Sequence, residues 1–312
     1  EKKRIVFAEG EDERVIRAAI AFRNAGYGDP VLLGKAENVE QTMASLGIAG
    51  TSELEIHNAA LSTDKTTYSE FLYNRLQRRG FLFRDCQRLV NQDRNVFGAC
   101  MVACNDADGM VTGVTRPFAV AYSEVTRVID TKEGECPMGI TMMMAREHTI
   151  LIADSGVHEL PTSEDLAAVS CGAAAYARKL GQEPRVAILS FSNFGQPKRQ
   201  QMERVRRAVT LLDDRKVDFE YDGEMTVDTA LDFDLMQRIY PFCRLSGPAN
   251  VLIMPDLHSA SISSKLLQVL GDGTVIGPIL EGLSKPIQIV QLGSRVSDLI
   301  NAGAIAAYDA IT

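Results

Sequence analysis

Residues 4–24 read RIVFAEGEDERVIRAAIAFRN. Ile5-Val6-Phe7 is a short unbroken apolar run, the pattern of a strand buried on both faces. From Asp12 the period changes. Val15, Ile16, Ala19, Ile20 and Phe22 recur at helical spacing, so Arg4–Ala8 is expected as a strand and Asp12–Asn24 as a helix with one apolar face. Gly26 and Gly28 close that helix, and Val31–Gly34 supplies the next strand. Strand, helix and strand in quick succession make a βα unit, which pairs its strands in parallel.

The alternation continues along the chain. Glu55 opens a further unit, with helical stretches at Lys65–Arg79 and Asn95–Cys104 leading to a strand at Gly109–Thr112. Ile140–Met144 and Thr149–Ala153 read as adjacent strands, and Glu164–Leu180 as an alanine-rich helix introduced by Thr162. Strands are expected at Arg185–Ser190, Val217–Tyr221, Val251–Met254 and Ile287–Val290. The helices between and after them are Lys198–Leu212, Met225–Ile239, Ser261–Leu270 and Val296–Tyr308, and Gly271–Gly277 reads as a turn. Lys132, Glu133, Gly134 and Pro137 interrupt the periodicity, so a compact boundary is expected near Thr131–Gly139. The fold class is α/β with largely parallel sheets.

At 312 residues the chain is long enough for two domains, and 46% hydrophobic with 24% charged residues is an ordinary globular composition. The net charge of −8 argues against nucleic acid or an anionic membrane as the main partner. No apolar run is long enough to span a bilayer, and EKKRIVFAEG lacks a signal-peptide core. Six cysteines without a CxxC pair read as reduced thiols of a cytoplasmic protein. Four scattered histidines, at 57, 148, 158 and 258, give no metal motif, so no metal is expected. GxxxxGK[ST], GxGxxG opening a helix, HExxH and GxSxG are all absent.

Two basic clusters stand out. Arg75–Arg94 holds six arginines against two aspartates, and Lys198–Arg207 five cations against Glu203. Guanidinium forks suit phosphate oxygens; a solvated or internally paired helix face is the alternative. Ahead of the second cluster, Ser190-Phe191-Ser192-Asn193-Phe194-Gly195 joins a buried strand to a helix start near Pro197, a geometry that offers N–H groups to an anion. A like turn, Pro255-Asp256-Leu257-His258-Ser259-Ala260-Ser261, follows Val251–Met254. Asp298 reads either as a first-turn carboxylate or as a ligand-orienting group, and Ser155 as structural.

Six motifs in order, AEGEDERVIRAA (8–19), NDADGMVTG (105–113), ILIADSGVHELPTSEDLA (150–167), AILSFSNFG (187–195), DFEYDGEM (218–225) and SGPANVLIMPDLHSASISSKL (246–266), resemble the phosphate acetyltransferase / butyryltransferase family over essentially the whole chain. FLFRDCQRLVNQDRNVFGACMV (81–102) looks closest to the C-terminal phosphotransacetylase-like domain of bacterial NADP-dependent malic enzymes. The resemblance implies two αβα-sandwich domains with an inter-domain cleft, residues 1–133 plus 289–312 and an inserted, dimerising 134–288. It also implies a malic-enzyme catalytic portion upstream, and NADP with Mg or Mn would belong to that portion alone.

In the family, CoA attacks acetyl phosphate with help from a late Ser-Arg pair, a nearby Asp and further arginines. Here Asp298 matches, whereas Ser294 and Arg295 imitate the pair in altered register. The arginine of DLLRP falls on Ser123, with Arg116 in the same loop, and the cysteine of FADCAV is Ser155. NTGNI becomes His258–Ile262, and STKG becomes Ser192-Asn193-Phe194-Gly195 without its lysine. Losing one well-placed donor costs about 3–4 kcal/mol of transition-state stabilisation. The reading that follows is a regulatory domain that binds acetyl-CoA as an allosteric inhibitor through Ser190, Phe191, Ser192, Asn193, Gly195, His258, Ser259, Ala260, Ser261 and Asp298. A working phosphate acetyltransferase using Asp298, Ser294, Arg295 and Arg116, and a ligand-free assembly module, are the alternatives.

Overall fold

The computed structural model describes residues 2–48, 54–59, 61–145, 148–197 and 203–311. The chain forms two units, residues 1–133 with 283–312, and residues 134–282. The first unit begins with β1 (Arg4–Phe7), α1 (Glu13–Asn24), β2 (Asp29–Leu33), α2 (Ala36–Ser45) and β3 (Glu55–His57). It continues through α3 (Lys65–Leu76), α4 (Phe83–Gln92), α5 (Arg94–Ala103), β4 (Gly109–Thr112) and α6 (Phe118–Val125). The second unit holds β5 (Met138–Ala145), β6 (His148–Ala153), α7 (Ser163–Lys179), β7 (Arg185–Leu189), α8 (Glu203–Arg215) and β8 (Glu220–Met225). It closes with α9 (Val227–Leu231), α10 (Phe233–Ile239), β9 (Val251–Ile253), α11 (Leu257–Leu270) and β10 (Thr274–Glu281). The chain then returns to the first unit with β11 (Ile287–Ile289) and α12 (Val296–Asp309).

Five parallel strands make the first sheet, in the order β11-β4-β1-β2-β3. β1 is central and fully buried at Ile5, Val6 and Phe7, which is why its sequence does not alternate. Phe22 of α1 meets Phe7 edge-on, with ring centroids 5.7 Å apart. Asp12 caps α1 by accepting the Arg14 N–H at 2.8 Å.

The second sheet has six strands, β10-β5-β6-β9-β7-β8, of which β6, β9, β7 and β8 are parallel and β5 runs against both neighbours. Thr162 and Asp165 close a capping box at the start of α7, each side chain accepting the other's N–H, at 3.1 and 2.9 Å.

Several expectations shift. The strand expected at Val217–Tyr221 is Glu220–Met225, and the helix expected over Met225–Ile239 is two short helices, Asp232 closing one and capping the next. The expected turn at Gly271–Gly277 is largely edge strand β10, whose register shift between Ile276 and Ile279 takes up Gly277 and Pro278. The second crossing between units lies at Gly282/Leu283 rather than 288/289, because Ile287 and Gln288 pair with Met110 and Val111 of β4. Helices α2, α4 and α6 were not expected.

Candidate functional site

In the first unit the chain runs from β1 to β2 and β3 on one side, then fills the other side with β4 and β11. The carboxyl ends of β1 and β4 therefore flank the point where the winding reverses, the usual ligand position in open α/β sheets. Here the chain's own groups meet. Glu9, 3% exposed, accepts the N–H groups of Gly113 (3.1 Å) and Thr115 (3.4 Å) and the Thr115 hydroxyl (3.3 Å) on one oxygen. Gly113 has φ +112°, and a Cβ there would lie 2.2 Å from the Val290 carbonyl oxygen, so the strand end closes this tightly only with glycine. Arg14 donates to the carbonyls of Leu292 (3.0 Å), Ser294 (3.2 Å) and Val114 (3.4 Å) and pairs with Asp12 at 3.0 Å. One guanidinium thus ties the loops after β1, β4 and β11 together.

The family-equivalent candidates of this unit sit in that frame. The Ser294 hydroxyl accepts the Gln291 N–H at 3.1 Å. Asp298 accepts the Arg295 N–H at 2.7 Å, the role of a first-turn carboxylate at the start of α12, while Arg295 itself is exposed. Arg116 donates to Asp93 at 2.8 Å and to Glu124. Asp93 also caps α5 through the N–H groups of Asn95 and Val96. Glu124 accepts from Asn95 Nδ2 at 2.7 Å, and Asn95 in turn accepts from Thr112 on β4. Burial and the neighbouring Asp93 push the Glu124 carboxyl up against the pull of Arg116 and Asn95. Arg116 is therefore the cation of a buried network. The first basic cluster is partly absorbed in the same way: Arg75 grips Asp130, Arg88 lies 3.7 Å from Asp85 and Arg94 4.0 Å from Glu11, while Arg78, Arg79 and Arg84 are exposed.

In the second unit the carboxyl ends of β6, β9, β7 and β8 share one edge. The Ser190–Gly195 loop has its donors occupied from within. Glu224, fully buried at the end of β8, accepts the Ser192 hydroxyl at 2.8 Å and the Gly195 N–H at 3.0 Å, and its other oxygen lies 3.6 Å from Arg206 Nε. Asn193 accepts the Thr226 N–H at 2.9 Å, and Phe194 packs on Tyr240 and Phe242 with centroids 5.1 and 4.9 Å apart. Phe191 is 58% exposed, while half-buried Ser190 accepts the Ser192 N–H at 3.3 Å.

His258–Ser261 belongs to the first turns of α11 rather than to a preceding loop, because Asp256 caps that helix through the Ser259 N–H and hydroxyl, both at 2.8 Å. Ala260 is buried, His258 exposed and Ser261 half-buried. Burial raises the Asp256 carboxyl, but the bonds from Ser259 outweigh it and hold it below the ordinary range. Arg204 ties the edge together, donating to the carbonyls of Pro161 (2.7 Å) and Pro255 (2.9 Å). Lys198 and Arg199 of the second basic cluster lie outside the described residues. Ser155 is buried, donating to the Gly139 carbonyl at 3.1 Å and accepting from Thr141 at 2.9 Å.

Beside these loops, Asp154 accepts the N–H groups of Gly139 (2.7 Å), Gly156 (2.8 Å), Val157 (3.1 Å) and His158 (2.7 Å). Its Oδ2 also holds His158 Nδ1 at 2.7 Å, and His158 Nε2 lies 3.6 Å from Cys136 Sγ. The bond to Asp154, then that to Cys136, raises the imidazole to about 10.

The pattern of the phosphate acetyl/butaryl transferase family matches residues 1–307. The chain belongs to that family. It is 53% identical to an NADP-dependent malic enzyme of Rhizobium meliloti over 99% of its own length, but spans only 41% of that protein. It is 31% identical to a phosphate acetyltransferase of Clostridium acetobutylicum, covering 95% of it. A phosphotransacetylase from Streptococcus pyogenes superposes with a TM-score of 0.91 at 32% identity, over 99% of this chain and 94% of that one. Among the described residues no helix is long and apolar enough to cross a membrane.

Sequence reasoning placed the Ser190–Gly195 turn and counted Arg206 in the second basic cluster, but missed Glu9, Arg14, Glu224 and Asp154. For the two glutamates the signal lay in the sequence: AEGEDER follows a buried strand and DFEYDGEM carries its acids within one, where a buried carboxylate needs partners.

Proposed function

We propose that the chain is the regulatory, phosphotransacetylase-like part of an NADP-dependent malic enzyme, which binds acetyl-CoA without transferring its acetyl group and pairs as a homodimer through residues 134–282. One observation carries the reading: three of the four family-equivalent catalytic candidates are committed to internal bonds. Arg116 serves Asp93 and Glu124, Ser294 takes the Gln291 N–H, and Asp298 takes the Arg295 N–H. Arg116 is the donor among them, and one displaced donor at about 3–4 kcal/mol removes roughly two to three decades of rate. Similarity to malic enzymes across 99% of this chain but 41% of the relative supports a catalytic partner portion outside these residues.

Of the ten groups expected to contact acetyl-CoA, Phe191, His258 and Ser261 remain the ones to bear the contact, Ser190 being bonded to Ser192 within its own loop. Exposed Phe191 supplies a face for the adenine ring, worth about 1–3 kcal/mol. His258 and Ser261 offer donors to the phosphates and pantetheine amides. Ser192, Asn193, Gly195 and Ser259 hold the loops in shape. For inhibition, acetyl-CoA must prefer one of two states of the whole enzyme, a coupling of about 1–3 kcal/mol.

Calorimetry with acetyl-CoA tests the binding. Saturable heat, weakened at least tenfold by Phe191→Ala, supports the reading; no heat and no thermal shift at millimolar ligand refutes it. The match to nearly the full length of the Clostridium acetyltransferase favours a second reading, an active transferase. Its test is acetyl transfer from acetyl phosphate to CoA, abolished by Asp298→Asn.

A further inference from the structure

Cys136, His158 and Asp165 lie outside the groups discussed for acetyl-CoA, and one ligand atom from each falls within 4.8 Å of the others. We infer that Cys136 Sγ, His158 Nε2 and an Asp165 carboxylate oxygen form a three-ligand site for a zinc-like divalent cation, with the fourth tetrahedral position open. Three separate stretches of chain deliver these atoms: the lead into β5, the loop after β6 and the first turn of α7.

The geometry carries the inference. With Zn–S of about 2.3 Å and Zn–N of about 2.0–2.1 Å, a tetrahedral angle sets the S···N edge at about 3.5 Å. The Cys136–His158 separation is 3.6 Å. Asp165 then has to close by no more than about 1.5 Å to complete a face of that tetrahedron. Thr162 holds Asp165 Oδ2 through its N–H (2.9 Å) and hydroxyl (2.8 Å), which fixes the carboxylate at the start of α7.

The surroundings are those of a metal-bound histidine. Ligating imidazoles hold their second nitrogen on a carboxylate or carbonyl, which fixes tautomer and ring plane. His158 holds Nδ1 on Asp154 at 2.7 Å, and Asp154, 4% exposed, is fixed by four backbone N–H groups. Nε2 is thereby aimed at Cys136. A thiolate, an imidazole and a carboxylate together favour zinc or cobalt over magnesium or calcium, which take oxygen ligands. Two anionic ligands balance the dication, and half-buried Cys136 and His158 leave the site reachable.

The test uses the 312-residue chain stripped with chelator and titrated with Co(II), then with Zn(II). The expected result is one cation per chain, with a thiolate-to-cobalt charge-transfer band that Zn(II) displaces. Cys136→Ser abolishes the band, and Asp154→Asn, leaving all three ligands in place, weakens binding about 10–100-fold. Zn(II) also slows alkylation of the Cys136 peptide by iodoacetamide, read by mass spectrometry. Should Cys136→Ser fold poorly, Asp165→Asn, which keeps the helix cap, is expected to lower affinity at least tenfold. A band that survives in Cys136→Ser, or alkylation of Cys136 unchanged by Zn(II), overturns the site and leaves a thiol–imidazole pair.

Discussion

Removing the Glu224 carboxylate strands several donors at once. In Glu224→Ala the Ser192 hydroxyl and the Gly195 N–H, now 2.8 and 3.0 Å from one oxygen, lose their acceptor, and Arg206 loses an anion 3.6 Å away. A hydrogen bond to a charged group contributes about 1.5–3 kcal/mol, and breaking a buried pair costs about 3–5 kcal/mol. Arg206 keeps 30% side-chain exposure, so water recovers part of its share. The expected loss is about 3–4 kcal/mol, towards the lower end of the buried-pair range. At about 2–4 °C per kcal/mol for a unit of this size, melting falls by roughly 6–16 °C. Glu224→Gln keeps an acceptor in place and loses less than half as much. Hydrogen exchange over residues 190–197 is expected to accelerate in the alanine variant. A small carboxylate, acetate, fits the vacated position, and a tenfold excess over its dissociation constant returns about 1.4 kcal/mol to the variant alone. A loss below about 1 kcal/mol, or equal acetate stabilisation of both proteins, refutes the view that this loop is built around an internal anion.

Three further outcomes follow from the same bonds. Arg116→Met leaves Asp93 and Glu124, 14% and 10% exposed, without their cation, so urea unfolding is expected to show a loss of about 2–3 kcal/mol; an unchanged midpoint would mean the arginine is free for a ligand. Burial raises Asp12 but the bonds from Arg14 outweigh it and hold its carboxyl low, so its contribution is present above the unfolded value of about 3.9 and is lost as pH falls through the folded value. The stability gap between the protein and Asp12→Asn, which retains the cap, should therefore narrow on acidification; a gap independent of pH contradicts this. Asp298→Asn keeps the Arg295 N–H bonded and gives up only the helix-dipole term, about 0.3–1 kcal/mol, so melting moves slightly and the acetyl-CoA titration not at all.

What was legible in the sequence follows from burial. Ile5-Val6-Phe7, Val186–Leu189 and Val251–Ile253 are runs covered on both faces, and no polar residue breaks their pattern. Thr162 with Asp165 gives the start of α7 a local signal that needs no tertiary context. β8 falls later than expected because EYDGEM carries Asp222 and Glu224 into the interior, where they hold Arg244 and the Ser192–Gly195 loop. Polar spacing on that strand reports on distant partners, which local periodicity does not see. α11 starts earlier than expected because serines and a histidine resemble a turn, whereas Asp256 already caps the helix.

At the candidate site the same division holds. The Ser190–Gly195 turn was legible as strand–turn–helix geometry, but its occupancy was not. Glu224 lies far from Ser192 in sequence, and Arg14 even farther from Ser294, so the bonds that fill the Ser190–Gly195 loop and the loop after β11 are long-range. Where the resemblance implies an altered register for Ser294 and Arg295, the chain forms a turn in which Ser294 closes on Gln291.

The central claim is that a transferase scaffold has spent its reactive groups on its own fold. Acetyl-CoA formation from acetyl phosphate and CoA, measured with the purified chain at micromolar protein, tests it most directly. The account expects no rate above the uncatalysed background, whereas turnover near the common enzymatic range of about 10 per second, lost in Asp298→Asn, would contradict it.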